Sequence, residues 1–124
     1  MQDFLLSKKT ILITGASSGI GKETAILASK LGANVIIQGR NLEKLKQTYS
    51  KLNSNGNHKY ILADLTILNE LQNLVNMCSN VDGVVHCAGI VKPVPAKFIQ
   101  SKHIEEMFSI NFNAVVLINS NLLN

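Results

Sequence analysis

Residues Thr14 to Gly21 (Thr-Gly-Ala-Ser-Ser-Gly-Ile-Gly) place the strongest restriction on what this chain can become. They follow a short apolar run, Thr10-Ile11-Leu12-Ile13, and lead into a helical pattern carrying Ile20, Ala25, Leu27, Ala28 and Leu31. A strand that turns through three glycines into a helix presents the helix's unpaired amides and positive dipole end above the strand. Phosphate binds well at such a place, and glycines let it approach without meeting a Cβ. The spacing Gly15-x3-Gly19-x-Gly21 departs from the general dinucleotide fingerprint G-x-G-x-x-G. A P-loop does not fit either, because it requires glycine where Ala16 stands and serine or threonine where Glu23 stands. The competing reading is a glycine-rich turn that binds nothing.

The remaining pattern alternates strand and helix. Lys9–Ile13 reads as the first strand and Gly19–Leu31 as a helix ended by Gly32 at its C′ position. Asn34–Gln38 is a second strand whose apolar middle suits a parallel sheet covered on both faces. An amphipathic helix runs from Asn41 to about Leu52 with Leu42, Leu45, Tyr49 and Leu52 on one side, and Asn53–Asn57 is a turn. Tyr60–Ala63 is the third strand, ending at Asp64, and Thr66 is placed to cap a helix through Leu68, Leu71, Leu74, Val75 and Cys78. Val81–Cys87 is the fourth strand, ending in Ala88-Gly89. A loop with Pro93 and Pro95 then leads to a helical stretch from about Ser101 onward. This predicts an α/β fold, a doubly wound parallel sheet in the order 3-2-1-4, as one unit over residues 1–124.

The motif Thr-Gly-x3-Gly-x-Gly after an N-terminal strand resembles the cofactor loop of the short-chain dehydrogenase/reductase family. The resemblance implies a Rossmann-type fold with Thr14, Gly15, Ser17, Ser18, Gly19, Ile20 and Gly21 around a nicotinamide cofactor. The end of the second strand selects that cofactor. A carboxylate there suits the ribose hydroxyls of NAD, whereas a cation suits the 2′-phosphate of NADP. Gly39-Arg40 stands there, with no carboxylate until Glu43, and an arginine fork matches phosphate, so NADP(H) is expected over NAD(H). An exposed arginine at a helix start is the alternative.

By the same resemblance, Asp64-Leu65 takes the adenine amino group, although Asp64 could equally serve as a helix cap. His86-Cys87-Ala88-Gly89 stands in place of the family's Asn-Asn-Ala-Gly, bringing Cys87, Ala88 and Gly89 to the cofactor. His86 reads as a satisfied structural histidine and Cys87 as a small buried thiol. Asn111 matches the helix asparagine that, in relatives, helps hold a water of the proton relay. An exposed polar position is its alternative.

Relatives deliver the proton with a tyrosine, a lysine four residues later and a serine. Here Tyr49 is followed at that spacing by Asn53, and Tyr60 by Asp64. The resemblance thus covers nearly all of this sequence but the cofactor half of a family member, with the 3-oxoacyl-carrier-protein reductase type the most similar. Two functions follow. One is the N-terminal part of an oxidoreductase acting on a small-molecule carbonyl or secondary alcohol, inactive as 124 residues alone. The other is a non-catalytic nucleotide-binding module or fragment that needs a partner chain.

Composition narrows the remaining classes. A chain of 124 residues, 46% hydrophobic and 16% charged, suits one globular core. No apolar stretch approaches the ~20 residues of a membrane span, and Met1–Lys8 has no signal-peptide pattern, so a cytoplasmic location is expected. Cys78 and Cys87 read as reduced thiols, and His58, His86 and His103 share no ligand spacing, so no metal is expected. The net charge of +4 is spread over dispersed lysines without interleaved aromatics, which argues against nucleic acid. The last stretch (Ile110, Phe112, Val115, Val116, Leu117, Ile118, Leu122 and Leu123) is apolar on more than one face. In relatives this helix packs on a second subunit, so a homo-oligomer through it is expected.

Overall fold

The structure, a computed structural model, describes residues 5–90 and 93–122. Leu123, counted in the last apolar stretch, lies outside the described residues. The order of elements is β1 (Thr10–Thr14), α1 (Gly19–Lys30), β2 (Asn34–Gly39), α2 (Leu42–Ser50), β3 (Lys59–Leu62), α3 (Leu68–Met77) and β4 (Gly83–His86). A 3₁₀ turn at Ala96–Phe98 precedes α4 (Ser101–Phe108), a π-helical turn (Ser109–Asn113) and α5 (Ala114–Leu122). The four strands form one parallel sheet in the order β3-β2-β1-β4, as the alternating pattern predicts.

Side chains alternate across the sheet and build a core on each face. Leu12, Ile36 and Ile61 point to one side, where Leu71 and Leu74 of α3 and Ala114 and Ile118 of α5 cover them. Ile13, Val35 and Ile37 point to the other side, beneath Ala25 and Ala28 of α1 and Leu45 of α2. Burial of one such branched side chain contributes about 1.5–3 kcal/mol, so the two clusters fix strand register: a one-residue slip would exchange the faces.

Helix α1 meets the sheet through small residues. Gly21, Ala25, Ala28 and Ser29 are buried, whereas Ile20 is 79% and Leu27 57% exposed. The apolar pattern read from the sequence therefore mixes two faces. The 3.6-residue period puts positions 21, 25 and 28 inward and leaves 20 and 27 outside. Ala33 N donates to Ala28 O at 3.1 Å and Gly32 N to Ser29 O at 3.2 Å, the paired bonds of a Schellman stop with Gly32 at C′.

Strand β4 is shorter than the predicted strand Val81–Cys87, because side chains take its ends. Thr10 N donates to Asp82 Oδ2 at 2.8 Å, and Asp82 N donates to Thr10 O at 2.7 Å. At the other end Cys87 N and Ala88 N both donate to Thr14 Oγ1 at 3.2 Å. Thr66 does not cap α3. Ile67 occupies the N-cap without a side-chain bond, and the Thr66 hydroxyl donates to Asp64 Oδ1 at 2.7 Å instead. The local Asx turn outcompetes capping from one residue too early.

Among the described residues no helix is long and apolar enough to cross a membrane, and no group of three His, Cys, Asp or Glu is placed to hold a metal.

Cys78 ends α3 in the core, and burial pushes its thiol up to about 11. Only about one thiol in 1,000 is then ionised near pH 8, and the thiolate is the nucleophile. Cys78 should resist iodoacetamide in the folded protein and react once denaturant is added, as read by mass spectrometry of peptides.

Candidate functional site

A cleft of about 530 Å³ opens at the C-terminal edge of the sheet, where the chain leaves β1 for α1 and leaves β4 on the other side. This is the switch point of the strand order, the place where open parallel sheets bind ligands. Its lining runs from Gly15 and Ser17–Gly21 through Gln38–Asn41 and Lys44 to Leu65, Cys87–Ile90 and Ile110.

The glycine loop is shaped by two left-handed residues. Gly15 has φ +63°, and a Cβ there would lie 2.6 Å from the nitrogen and Cα of Ala88. Only glycine lets the β1 and β4 exits pass so closely. Gly19, the first residue of α1, has φ +56°, but a Cβ there would meet nothing within 4 Å. The protein's own packing does not require glycine at 19; the backbone conformation and the open space above it do, as a cradle for a ligand would. A Cβ on Gly21 would collide with Gly15 O, so the helix start rests directly on the loop start. Ser18 stands at the N-cap with no side-chain capping bond. Ile20, unexplained by sheet packing, lines the cleft.

Gln38 ties this loop to the sheet. Its backbone oxygen accepts from Ala16 N at 2.9 Å and its side-chain Oε1 from Gly15 N at 2.9 Å. Its Nε2 donates to Ala63 O at 2.7 Å. The sequence reading passed over this residue as an ordinary strand position. A glutamine ending an otherwise apolar strand run was the available signal, because a buried polar side chain needs partners.

Two cations line the adjoining wall, Arg40 and Lys44, and among the described residues no carboxylate lines the cleft. The Asn41 side chain accepts from Lys44 N at 3.0 Å and caps α2. Capping starts α2 there and brings Lys44, one of the dispersed lysines, back to the cleft.

Asp64 lies just behind the lining. Oδ1 accepts from Thr66 N at 2.9 Å as well as from the Thr66 hydroxyl, and Asp64 N donates to Glu70 Oε1 at 3.0 Å. The hydroxyl bond does most to hold the Asp64 carboxyl below its usual range. Burial opposes it, and the Thr66 amide and the Arg40 charge assist.

On the β4 side, Thr14 is buried and turned inward, so it anchors the exit of β4 and is not part of the lining. His86 Nε2 lies 2.8 Å from Asn119 Oδ1, satisfied as a structural histidine. Cys87 is not the small buried thiol read from the sequence. It is partly exposed and lines the cleft, because β4 ends at His86 and the chain has begun to leave the core. Asn111 sits in the π-helical turn and grips the backbone of Ile90 twice: its Oδ1 accepts from Ile90 N and its Nδ2 donates to Ile90 O, each at 2.9 Å. Gly89 leaves room for that amide, since a Cβ would stand 3.1 Å from Asn111 Oδ1. Neither tyrosine reaches the cleft. Tyr49 and Tyr60 stack edge-on against each other, with ring centroids 5.2 Å apart.

Thr66→Val should move the Asp64 carboxyl back up toward its ordinary range, as carbon-13 NMR titration would read. A lowered carboxyl pKa in the fold contributes stability above the unfolded value of about 4. That contribution is lost as pH falls through the lowered native value. Wild type should therefore be the more stable above about pH 4, and the two should converge in stronger acid.

Residues 9–124 match the family model described as short chain dehydrogenase. The chain is 40% identical over 114 residues to a 3-oxoacyl-(acyl-carrier-protein) reductase of Rickettsia prowazekii, covering 92% of this chain and 46% of that protein. It is 35% identical over 128 aligned positions to an uncharacterized oxidoreductase of Escherichia coli, covering 96% of this chain and 51% of the other. The solved structure of an Escherichia coli oxidoreductase matches with a TM-score of 0.85 at 32% identity, over 99% of this chain and 54% of that one. The chain spans about half the length of the curated relatives it matches. A family match over almost every residue, on a sheet of this order with this glycine loop at its switch point, means that the chain belongs to the short-chain dehydrogenase family.

Proposed function

We propose that this chain is the cofactor-binding part of an NADP(H)-dependent oxidoreductase that interconverts a small-molecule carbonyl compound and a secondary alcohol. The observation that carries the reading is Gly19: left-handed backbone at a helix start, with open space where a Cβ would stand. Around it the residues fit a dinucleotide. The amides of Ser17 to Gly21 would hold its pyrophosphate, Arg40 and Lys44 its 2′-phosphate, Asp64-Leu65 its adenine, and Cys87 to Gly89 its second ribose. When bound, the nicotinamide supplies or accepts the hydride.

The chain's own part is binding and orientation. Two cations without a competing carboxylate in the lining favour the phosphorylated cofactor over NAD(H). Asn111 holds Ile90 in place through both its backbone N–H and its C=O. By the family resemblance, Asn111 would also help hold a water of the proton relay. Proton delivery needs a tyrosine and a lysine that these 124 residues do not hold as Tyr-x3-Lys, so the chain by itself is inactive in this reading. The 40% identity to a 3-oxoacyl-(acyl-carrier-protein) reductase supports a related substrate class. Phe108, Phe112, Val116 and Leu117, exposed along the last helices, support association between copies.

Arg40→Ala should weaken NADPH binding by about 10- to 150-fold, the loss of one or two charge-assisted hydrogen bonds of about 1.5–3 kcal/mol, and should leave NADH binding nearly unchanged. Gly19→Val should abolish binding of both, since a β-branched side chain enters the open space and resists positive φ. Titration of reduced-nucleotide fluorescence reads both; an Arg40→Ala protein with wild-type NADPH affinity would overturn the choice of NADP(H).

A further inference from the structure

Gln38 is the last residue but one of β2, and it is 2% exposed. Two strands flank β2 in the sheet, β1 and β3, and the side chain reaches past the end of each. Oε1 accepts from Gly15 N at 2.9 Å, one residue beyond β1, and Nε2 donates to Ala63 O at 2.7 Å, one residue beyond β3. The partners leave the amide a single orientation. Gly15 N–H can only donate and Ala63 C=O can only accept, so a flipped amide would set donor against donor and acceptor against acceptor. Backbone bonds run beside these contacts, Ala16 N to Gln38 O at 2.9 Å and Ala63 N to Gly39 O at 3.0 Å, and the side chain adds one bond to each exit.

We infer that Gln38 is a positioning residue for the nucleotide: it acts through Gly15 and Ala63 and sets the distance between the phosphate loop and the adenine-side wall. The inference rests on the reading of the cleft as a dinucleotide site. The route to the phosphates is short. Gly15 carries φ +63°, and its carbonyl oxygen touches the Cα side of Gly21, so the position of Gly15 decides where the first turn of α1 stands. The route to the adenine side is as short, since Asp64-Leu65 follows Ala63 directly and Glu70 holds Asp64 N from the other side. One amide therefore spans both halves of the adenosine pyrophosphate site. Loss of its oxygen would leave a backbone N–H without its acceptor in the turn where the ligand's charge is to be received.

The experiment compares NADP+ affinity of wild type, Gln38→Leu and Gln38→Glu by isothermal titration calorimetry between about pH 5.5 and 8, with folding checked by circular dichroism. Gln38→Leu keeps the volume and removes both bonds; affinity should fall at least tenfold at every pH. Gln38→Glu keeps the acceptor for Gly15 N, but it can donate to Ala63 O only when protonated. Its affinity relative to wild type should therefore recover toward unity as pH falls, while that of Gln38→Leu stays low. A loss of thermal stability with wild-type affinity in Gln38→Leu would make the residue purely structural and overturn the assignment. So would a Gln38→Glu deficit that does not change with pH. Should Gln38→Leu not fold, the pH profile of Gln38→Glu decides by itself. A wild type that binds no NADP+ would instead remove the dinucleotide reading, and this assignment with it.

Discussion

The backbone leaving β4 passes Gly15 so closely that any side chain there would stand 2.6 Å from the amide of Ala88. Everything at the C-terminal edge of the sheet depends on that approach. It lets Thr14 accept from Cys87 N and Ala88 N with one hydroxyl, which holds two strand exits together just where the parallel ladder stops. It places Ala88-Gly89 opposite the glycine loop, and so defines the second wall of the cleft. The same loop residue then carries the helix: Gly21 rests on the carbonyl of Gly15, with no Cβ to hold them apart. The dipole end of α1 is thereby aimed into the cleft by backbone contacts, which move less than side chains do.

The electrostatics of the cleft follow from this geometry and from an omission. Backbone amides at a helix start favour an anion, and Arg40 and Lys44 add full charges to the same side. A carboxylate in the lining would cancel part of that field. Asp64, the nearest described acid in sequence to Leu65 of the lining, spends Oδ1 on Thr66 and lies behind the wall. The donors of Thr66 hold it ionised without leaving that oxygen to compete for the Arg40 guanidinium.

The last helices show a different economy. Ile110, Ala114 and Ile118 recur every fourth residue and are buried, Ala114 and Ile118 in the core with the sheet and α3 and Ile110 at the cleft, while Phe108, Phe112, Val116 and Leu117 remain exposed on the other side. Between α4 and α5 the helix widens into a π turn at Ser109–Asn113, where Asn111 reaches across to the backbone of Ile90. An irregular turn inside a helix costs regular hydrogen bonding. Here it coincides with a two-point grip on the loop that follows Gly89.

Much of this was readable from consecutive residues. Apolar runs of four to six with β-branched side chains announced the strands, three glycines after the first of them announced the loop, and Gly32 and Asn41 announced a helix end and a helix start. These are local effects: periodicity, φ preference and capping act within a few positions. The errors were also local in origin. Ile20 and Leu27 counted as apolar residues of α1 until the sheet chose Gly21, Ala25 and Ala28 as the inner face, and Thr66 counted as a cap until Asp64 claimed its hydroxyl. What only the tertiary structure decided is long-range. Gln38 meets partners 23 and 25 positions away, Thr14 meets partners 73 and 74 away, and Lys44 joins Arg40 at a cleft whose other wall is Cys87–Ile90. Adjacency can mark Gln38 as a polar residue in an apolar run, but it cannot name partners, because these hydrogen bonds exist only after separate strands have been laid side by side and have ended at the same edge.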